Sequence, residues 1–377
     1  MRIVLIGPTH PFRGGIAHYT TLLCRALRRE HEVKFISFKR QYPRILFPGS
    51  TDRDESALPV TVEGVQYIID SLNPLTWMSA IRAVTKYEPQ ILVLPWWVAF
   101  WAAPFWSMMV LAKRRLSCEI VVICHNVIEH EENLLKQLAT RAVLSRADRL
   151  ITHSREETRK AGELLGNNLN IITAFHPSYA DLSPVRYPKE EAKEKLGFKG
   201  DVILFFGFVR EYKGLDVLIE AMPAILHEKK VTLLIAGEFW KGKAAYLEQI
   251  DRCGIGPHVR IIDRYIPNEE LGLYFGAADL VVQPYVGASG SGVCQLAFGF
   301  DRPVVGSRIG SIAEVVEDNV NGRLVAPGDP QELAQAVSAS LEPATLHRYS
   351  ANAERTKERF SWEKLADIVV GAGSAST

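Results

Sequence analysis

A loop rich in glycine and serine near the end of the chain has the composition of an anion-binding site. An apolar strand predicted at Leu280–Val282 leads into residues 287–292, which contain three glycines and two serines. An apolar segment follows at Val293–Phe300. A helix N-terminus offers backbone N–H groups and a positive dipole end to an anion, and glycines let a ligand approach the main chain. The loop therefore predicts phosphate binding, although a tight turn without a ligand has the same composition.

Two cations follow another predicted strand in the same half of the chain. Arg210 and Lys213 come after the apolar strand Val202–Phe206 and before an amphipathic helix. Open α/β sheets bind ligands outside the carboxyl ends of their strands. An arginine guanidinium binds a diphosphate by donating two parallel hydrogen bonds, and a lysine ammonium neutralises it as a point charge. The pair predicts a diphosphate site, and the alternative is two solvated surface cations.

The first half of the chain offers its own candidates at predicted strand ends. Gly14 and Gly15 lie between the strand Ile3–Ile6 and a helix, where they either present N–H groups to a ligand or only form the turn. His125 follows the buried strand Ile120–Cys124. The GxGxxG spacing of dinucleotide-binding proteins is absent, which disfavours an oxidoreductase, and the spacing of the histidines does not predict a zinc site.

Length and composition indicate a globular protein of two domains. A chain of 377 residues exceeds one ordinary core, and strands alternate with helices throughout, which predicts an α/β protein with parallel sheets. A polar, proline-bearing segment at 176–200 separates the halves. We expect an acceptor-side domain at 1–176, a donor domain at 177–360, and a closing helix at 361–377 that returns to the first domain.

Charge and cysteine content exclude several classes. The formal net charge of +1 argues against nucleic acid as a partner, and the five cysteines show no CxxC spacing. A reducing, cytoplasmic location is expected. The uncharged segment Ile91–Ala112, which holds four tryptophans, leaves three interpretations open: a membrane span, a core segment, or a surface that contacts the inner face of the membrane peripherally.

The order of these motifs resembles the GT-B glycosyltransferases of family four. The resemblance covers nearly the whole chain, from GPTHPFRGG through FFGFVREYKGLDVLIEAM and SGVCQLAFGFDRPVVGSRIGSIAE to NGRLVAPGDPQELAQAV. It implies the GT-B fold, with two Rossmann-like doubly wound parallel-sheet domains facing a cleft. It also implies retaining transfer of a sugar from a nucleotide-diphosphate-sugar to a glycan or lipid-linked acceptor, with no metal or other cofactor.

The resemblance also assigns roles to individual residues. It implies catalytic contributions from His125, which would contact the transferred sugar, and from Arg210 and Lys213, which would hold the diphosphate. The remaining positions are expected to bind the donor, with Glu314 supporting its loop and Gln295 near the ribose; they are Gly14, Gly15, Ser289, Gly290, Ser291, Gly292, Gln295 and Glu314.

One departure from the family pattern leaves an alternative function open. Family four has a pair of glutamates that contact the donor sugar and the ribose, and Ala288 and Leu296 occupy the matching positions here. The leading hypothesis is an active glycosyltransferase. The alternative is a catalytically weak module of the same fold that binds a sugar nucleotide or a partner.

Overall fold

The computed structural model describes residues 1–43, 51–127, 134–166, 169–287, 292–356 and 359–373. The chain divides into two compact units. The first comprises Met1–Glu55, Pro59–His176 and Ser361–Thr377, and the second comprises Ser56–Leu58 and Pro177–Phe360. Each unit is built on its own parallel sheet.

The first unit contains a seven-stranded sheet in the order β3-β2-β1-β4-β5-β6-β7. All of its paired strands run parallel. The strands are β1 Arg2–Ile6, β2 Glu32–Arg40, β3 Gln66–Asp70, β4 Ile91–Trp96, β5 Glu119–Cys124, β6 Arg149–Thr152 and β7 Asn170–Thr173. The strand order reverses between β1 and β4, and such a switch point opens a crevice at the carboxyl edge of a sheet.

Five helices of this unit connect its strands. Their bounds are α1 Gly15–Leu27, α2 Pro74–Tyr87, α3 Ala102–Arg115, α4 Leu134–Leu144 and α5 Arg155–Leu165. Local sequence explains where two of them begin. The Asn73 side chain accepts a hydrogen bond from the Leu75 N–H at the start of α2, and Ser154 caps α5 by accepting from the Glu157 N–H.

The tryptophan-rich segment is part of the core of the first unit. Strand β4 is buried along its whole length, and Trp96 and Trp101 are 1% and 0% exposed. Among the described residues, no helix combines the length and the hydropathy needed to cross a bilayer. The core interpretation holds for β4, Trp96 and Trp101, whose rings pack against apolar neighbours. Trp106, in the same segment, is 40% exposed, and peripheral contact with a membrane stays a prediction.

The second unit contains a six-stranded parallel sheet in the order β10-β9-β8-β11-β12-β13. Its strands are β8 Asp201–Phe206, β9 Val231–Ala236, β10 Val259–Ile262, β11 Leu280–Gln283, β12 Val304–Ser307 and β13 Gly322–Val325. Its helices are α6 Lys189–Leu196, α7 Leu215–Glu228, α8 Lys243–Arg252, α9 Asn268–Ala277, α10 Gly292–Gly299, α11 Ile312–Val315, α12 Pro330–Ser340 and α13 Pro343–Thr356. The switch point lies between β8 and β11.

A buried carboxylate fixes the start of β11 against β8. Asp279 is 3% exposed and accepts a hydrogen bond from the Val202 N–H at 2.8 Å. Its other contacts are the ammonium groups of Lys189 and Lys193, at 2.8 and 2.7 Å. Burial raises the pKa of Asp279, but the two lysines outweigh this effect and hold the pKa below its usual value. The carboxylate is therefore charged in the folded protein at neutral pH.

The last helix, α14, spans Trp362–Val370 and packs on α1 in the first unit. Arg149, at the start of β6, donates hydrogen bonds to the carbonyl oxygens of Ile368 and Val369 at 2.5 and 2.8 Å. The same guanidinium pairs with Glu119 at 2.8 Å. A single buried arginine thus donates to two carbonyls in the last turn of α14, and the Ile368 carbonyl also accepts a hydrogen bond from the Gly371 N–H at 3.2 Å.

Candidate functional site

The switch point of the second sheet brings together two of the loops singled out in the sequence. The loop after β8 packs directly on the chain after β11, because a Cβ atom added at Gly214 would lie 2.0 Å from the Pro284 carbonyl oxygen. The Val286 N–H donates to the Tyr212 carbonyl oxygen at 2.8 Å. These contacts tie the segment that carries Lys213 to the segment that leads into α10.

Lys213 ends a short 3-10 helix and extends back over the end of β8. Its ammonium nitrogen would lie 3.2 Å from a Cβ atom added at Gly207, and Val293 Cγ2 would lie 3.8 Å from the same atom. Gly207 has a φ of +92°, which favours glycine. The ammonium group of Lys213 therefore lies beside Gly207 and close to the first turn of α10.

The environment of Lys213 leaves its positive charge uncompensated. The residue is 8% exposed, and among the described residues no carboxylate lies within 4 Å of its nitrogen. Burial and the nearby Arg210 guanidinium lower the pKa of Lys213 to about 7. A helix N-terminus carries partial positive charge as well, so the first turn of α10 adds to this imbalance. An anion bound at this point would compensate the charge of Lys213 and lie at the positive end of α10.

Arg210 is positioned by an aromatic side chain from the neighbouring strand's loop. Its guanidinium carbon lies 3.2 Å from the centroid of the Trp240 ring, and that ring lies 5.5 Å from the Phe208 ring. Trp240 follows β9, which pairs with β8, and sequence reasoning did not single it out. The sequence did offer a signal, because Trp240 is a large aromatic residue that follows the end of β9 by the same number of residues as Arg210 follows the end of β8.

The helix after the glycine-rich loop supplies two predicted donor-binding residues. Gly292 begins α10 in close contact with Tyr179, since an added Cβ atom would lie 3.2 Å from the Tyr179 ring. Gln295 is 1% exposed, and its Oε1 is buried without a hydrogen-bond partner among the described residues. Leu296, at the family's glutamate position, is 8% exposed. The predicted positions Ala288, Ser289, Gly290 and Ser291 lie outside the described residues.

Glu314 lies one strand further along the same edge of the sheet. It is the third residue of α11, which follows β12, and it is half-buried. The Glu314 N–H donates to the Ser311 carbonyl oxygen at 3.2 Å. Arg210, Lys213, Gly292 and Glu314 thus all follow the carboxyl ends of three adjacent strands. The predicted loop-supporting role of Glu314 stays a prediction.

In the first unit, Gly14 and Gly15 occupy the turn between β1 and α1. Gly14 has a φ of +106°, so its backbone conformation favours glycine. Apart from the neighbouring residues in the chain, no atom of the described residues lies within 4 Å of a Cβ atom added at either position. Gly15 is the first residue of α1, where helical N–H groups begin, and its predicted contact with a donor stays a prediction.

His125 follows β5 and belongs to a buried cluster of rings. Its ring centroid is 4.5 Å from that of Tyr19 and 5.1 Å from that of His153, whose ring is in turn 5.0 Å from that of His176. The three histidines follow the adjacent strands β5, β6 and β7. Sequence reasoning proposed only His125 as functional, although a histidine after each of three successive strands was the pattern that could have revealed the cluster.

Burial keeps His125 and His153 neutral at pH 7. Burial and the neighbouring histidines hold the pKa of His125 well below its ordinary value, and they lower that of His153 to about 3. The His153 Nδ1 lies 2.7 Å from the Ala174 carbonyl oxygen, so it carries the proton that it donates there. His125 Nε2 is buried with no hydrogen-bond partner among the described residues. In the part of the chain that the structure describes, no group of three histidine, cysteine or acidic side chains is arranged to hold a metal.

Two doubly wound parallel sheets, with candidate residues at the carboxyl edges of both, define the class of fold. The chain is similar to the crystal structure of Anabaena HepE in complex with UDP and glucose, with a TM-score of 0.75 and 18% identity. The similarity covers 98% of each chain. The chain has the GT-B fold, as its sequence predicts.

Comparison with family models gives the family. The model described as glycosyl transferase 4-like domain matches residues 14–173, and the model described as glycosyl transferases group 1 matches residues 200–342. The chain belongs to the group 1 glycosyl transferases. The resemblance inferred from the motifs is therefore confirmed.

Two curated relatives are similar to the chain over most of its length. The D-inositol 3-phosphate glycosyltransferase 2 of Catenulispora acidiphila is 31% identical over 62% of this chain and 57% of the relative. The D-inositol 3-phosphate glycosyltransferase of Geodermatophilus obscurus is 26% identical over 87% of this chain and 76% of the relative. The first match thus spans little more than half of the relative's own length.

Proposed function

We propose that this chain transfers a sugar from a nucleotide-diphosphate-sugar to an acceptor and retains the anomeric configuration. The observation that carries the proposal is the position of Lys213, which is buried beside Gly207 and the first turn of α10 and forms no ion pair with any described carboxylate. The family membership supports the reaction class, and HepE, which shares the fold, was crystallised with UDP and glucose.

In the proposed reaction, Lys213 and Arg210 stabilise the leaving group. The bond between the anomeric carbon and the diphosphate oxygen breaks, and the oxygen keeps the electron pair. Negative charge therefore grows on the diphosphate as the transition state is approached, and fixed cations close to that oxygen lower the barrier. The acceptor hydroxyl attacks from the face that the diphosphate leaves, and its proton passes to a phosphate oxygen.

His125 is proposed to contact the transferred sugar as a neutral hydrogen-bonding group. Its low pKa excludes an imidazolium at neutral pH, so the ring contributes no positive charge. Its buried Nε2 has no described partner and is available to a sugar hydroxyl. This role differs from that of Lys213, whose contribution is electrostatic.

The proposed acceptor is a glycan or a lipid-linked saccharide. The family resemblance supports this class. Of the tryptophans in the segment Ile91–Ala112, Trp96 and Trp101 are buried, whereas Trp106 is 40% exposed and remains available to a lipid-linked acceptor.

A second candidate function is a sugar-nucleotide-binding module with little turnover. It is favoured by Ala288 and Leu296, which replace the two glutamates of the family pattern. Leu296 is buried, at 8% exposed, and its apolar side chain has no group that could form a hydrogen bond with a ribose.

A donor screen distinguishes the two functions. Thermal shift with a panel of nucleotide-sugars identifies the donor, since selective binding to the folded state raises the melting temperature. Donor hydrolysis and transfer to a panel of acceptors are then measured for the wild type, for Lys213→Ala and for Lys195→Ala. Lys195 is a matched control because its side chain is 49% exposed and pairs with Glu191 on α6.

We expect Lys213→Ala to lose donor binding and turnover with the fold intact, and Lys195→Ala to retain both. Donor binding by the wild type with neither hydrolysis nor transfer would support the binding module. Unchanged turnover in Lys213→Ala would refute the proposed role of the lysine.

A further inference from the structure

Helices α3 and α4 of the first unit present an apolar surface to solvent. Leu134, Leu135 and Leu138 on α4 are 71%, 76% and 53% exposed, and Trp106 on α3 is 40% exposed. Helical spacing places the three leucines on one side of α4. The two helices pack against each other. We call the solvent-facing side of this pair the α3–α4 surface.

The exposed leucines are unusual for a helix that packs on a sheet. The opposite side of α4 already provides the buried contacts of this helix, through Thr140, Val143 and Leu144. The solvent side of such a helix is normally polar, because exposed apolar area gains nothing from folding. Contiguous exposed apolar residues are typical of an interaction surface.

The charge of the same two helices identifies the kind of partner. Helices α3 and α4 contain five basic residues and no acidic residue, whereas the whole chain is almost balanced at 44 basic and 43 acidic. The basic residues are Lys113, Arg114, Arg115, Lys136 and Arg141. Arg146 follows α4, with its guanidinium carbon 6.0 Å from the Trp106 ring centroid.

Four of these cations have no acidic partner among the described residues. Lys113 pairs with Asp148 at 2.6 Å. Arg114, Arg115, Arg141 and Arg146 are exposed and form no ion pair with any residue that the structure describes. Glu129, Glu131 and Glu132 precede α4 and lie outside the described residues.

We propose that the α3–α4 surface docks on a lipid bilayer that contains anionic lipids. Exposed leucines on α4 and an exposed tryptophan on α3, with lysine and arginine on both helices, give this surface the composition of a membrane-interface contact. The leucines and Trp106 enter the boundary between headgroups and acyl chains, and the arginines contact lipid phosphates. The inference does not rest on the proposed transferase activity, because it concerns a surface and not the candidate site.

Flotation with vesicles tests the proposal directly. The full chain is centrifuged through a density gradient with vesicles of phosphatidylglycerol and phosphatidylcholine in equal parts, and with vesicles of phosphatidylcholine alone. We expect the wild type to float with the anionic vesicles and to float less as salt rises, because screening weakens the contacts to phosphates. The variant L134S/L135S/L138S is expected to bind at least about tenfold more weakly, since three apolar side chains no longer enter the bilayer.

Two further variants test whether vesicle binding depends on the α3–α4 surface and on its arginines. Leu247→Ser changes a leucine that is 43% exposed on α8 of the other unit, and it is expected to float like the wild type. The variant R141E/R146E is expected to lose its preference for anionic vesicles. Circular dichroism and the melting temperature show whether each variant is folded, which is expected because the changed side chains are exposed.

Other results would overturn the proposal. Failure of the folded wild type to float with anionic vesicles would refute it, as would equal flotation of the wild type and the triple leucine variant. If the wild type instead forms a dimer in sedimentation velocity, and the triple variant is monomeric, the surface binds a second copy of the chain and not lipid.

Discussion

Replacing Lys213 with methionine is expected to stabilise the ligand-free protein while it removes donor binding. Burial and Arg210 lower the pKa of Lys213 from 10.5 to about 7. At 1.36 kcal/mol per pKa unit, this difference corresponds to a cost of about 5 kcal/mol for keeping the buried ammonium charged. Methionine has similar length and no charge, so part of this cost is recovered in the variant, and we expect a gain of roughly 2–4 kcal/mol near neutral pH.

The pH dependence of the gain follows from the direction of the pKa change. Between the folded pKa of about 7 and the unfolded value of 10.5, the unfolded state binds more protons than the folded state. The stability of the wild type therefore rises with pH in this window, at up to about 1.4 kcal/mol per pH unit. The variant lacks this contribution, so its advantage is full below pH 7 and shrinks as the pH rises through the window.

Urea denaturation, followed by tryptophan fluorescence at several pH values on both sides of neutrality, measures both effects. Lys195→Met serves as the control because Lys195 is exposed, and its free energy of unfolding should follow that of the wild type. A Lys213→Met variant that is less stable than the wild type at neutral pH would refute the reasoning. A difference in the free energy of unfolding between the wild type and Lys213→Met that does not change with pH would refute it as well.

The pH dependence of donor binding should also report the protonation of Lys213. A bound diphosphate restores the charged form of Lys213, so binding above pH 7 takes up a proton and weakens by up to about tenfold per pH unit. UDP-glucose is a suitable probe because its diphosphate has no terminal phosphate that titrates near neutrality. Isothermal titration calorimetry in buffers of different ionisation enthalpy measures the proton uptake, which Lys213→Met is expected to abolish.

Three further predictions follow from other contacts. Trp240→Ala removes the ring that Arg210 stacks on, and we expect calorimetry to show donor affinity reduced by about 3- to 30-fold with little change in the melting temperature. Arg149→Met leaves Glu119 and the end of α14 without their partner, and it is expected to lower the free energy of unfolding in urea by about 3 kcal/mol. The pKa of Asp279 is lower in the folded state than its usual value of 3.8, so its stabilising effect is present above that value and is lost as the pH falls through the folded pKa. Acid unfolding of Asp279→Asn should therefore be less steep than that of the wild type, and an equally steep curve would contradict this role.

The fold was predictable because local and periodic signals agree along the chain. Apolar strand segments alternate with amphipathic helices, which predicts parallel sheets, and both sheets have parallel strands. Asp329 followed by Pro330 is a typical start of a helix, and the Asp329 side chain accepts hydrogen bonds from the Gln331 and Glu332 N–H groups. The tryptophan-rich segment was ambiguous, since an uncharged run has the same composition in a core and at a membrane.

The candidate site was predictable only in part because its remaining contacts depend on strand order. Arg210 and Lys213 were identified from their position after a strand, and both lie at the switch point. The ring of Trp240 reaches Arg210 only because β9 pairs with β8, and His125 meets His153 only because β5 pairs with β6. The lowered pKa of Lys213 likewise depends on burial, which a position in a loop does not predict.

The absence of the paired glutamates and the low pKa of Lys213 have one common consequence. Carboxylates at positions 288 and 296 would bring negative charge close to the donor, whereas Ala288 and Leu296 bring none. Because the pKa of Lys213 is about 7, the lysine is only partly charged at neutral pH, and a bound diphosphate is expected to restore its full charge. Donor affinity should then come mainly from the diphosphate and less from hydroxyl contacts to the ribose or the sugar. The selection among sugars would depend instead on neutral hydrogen-bonding groups such as His125, whose preference for a hydroxyl is geometric and not electrostatic.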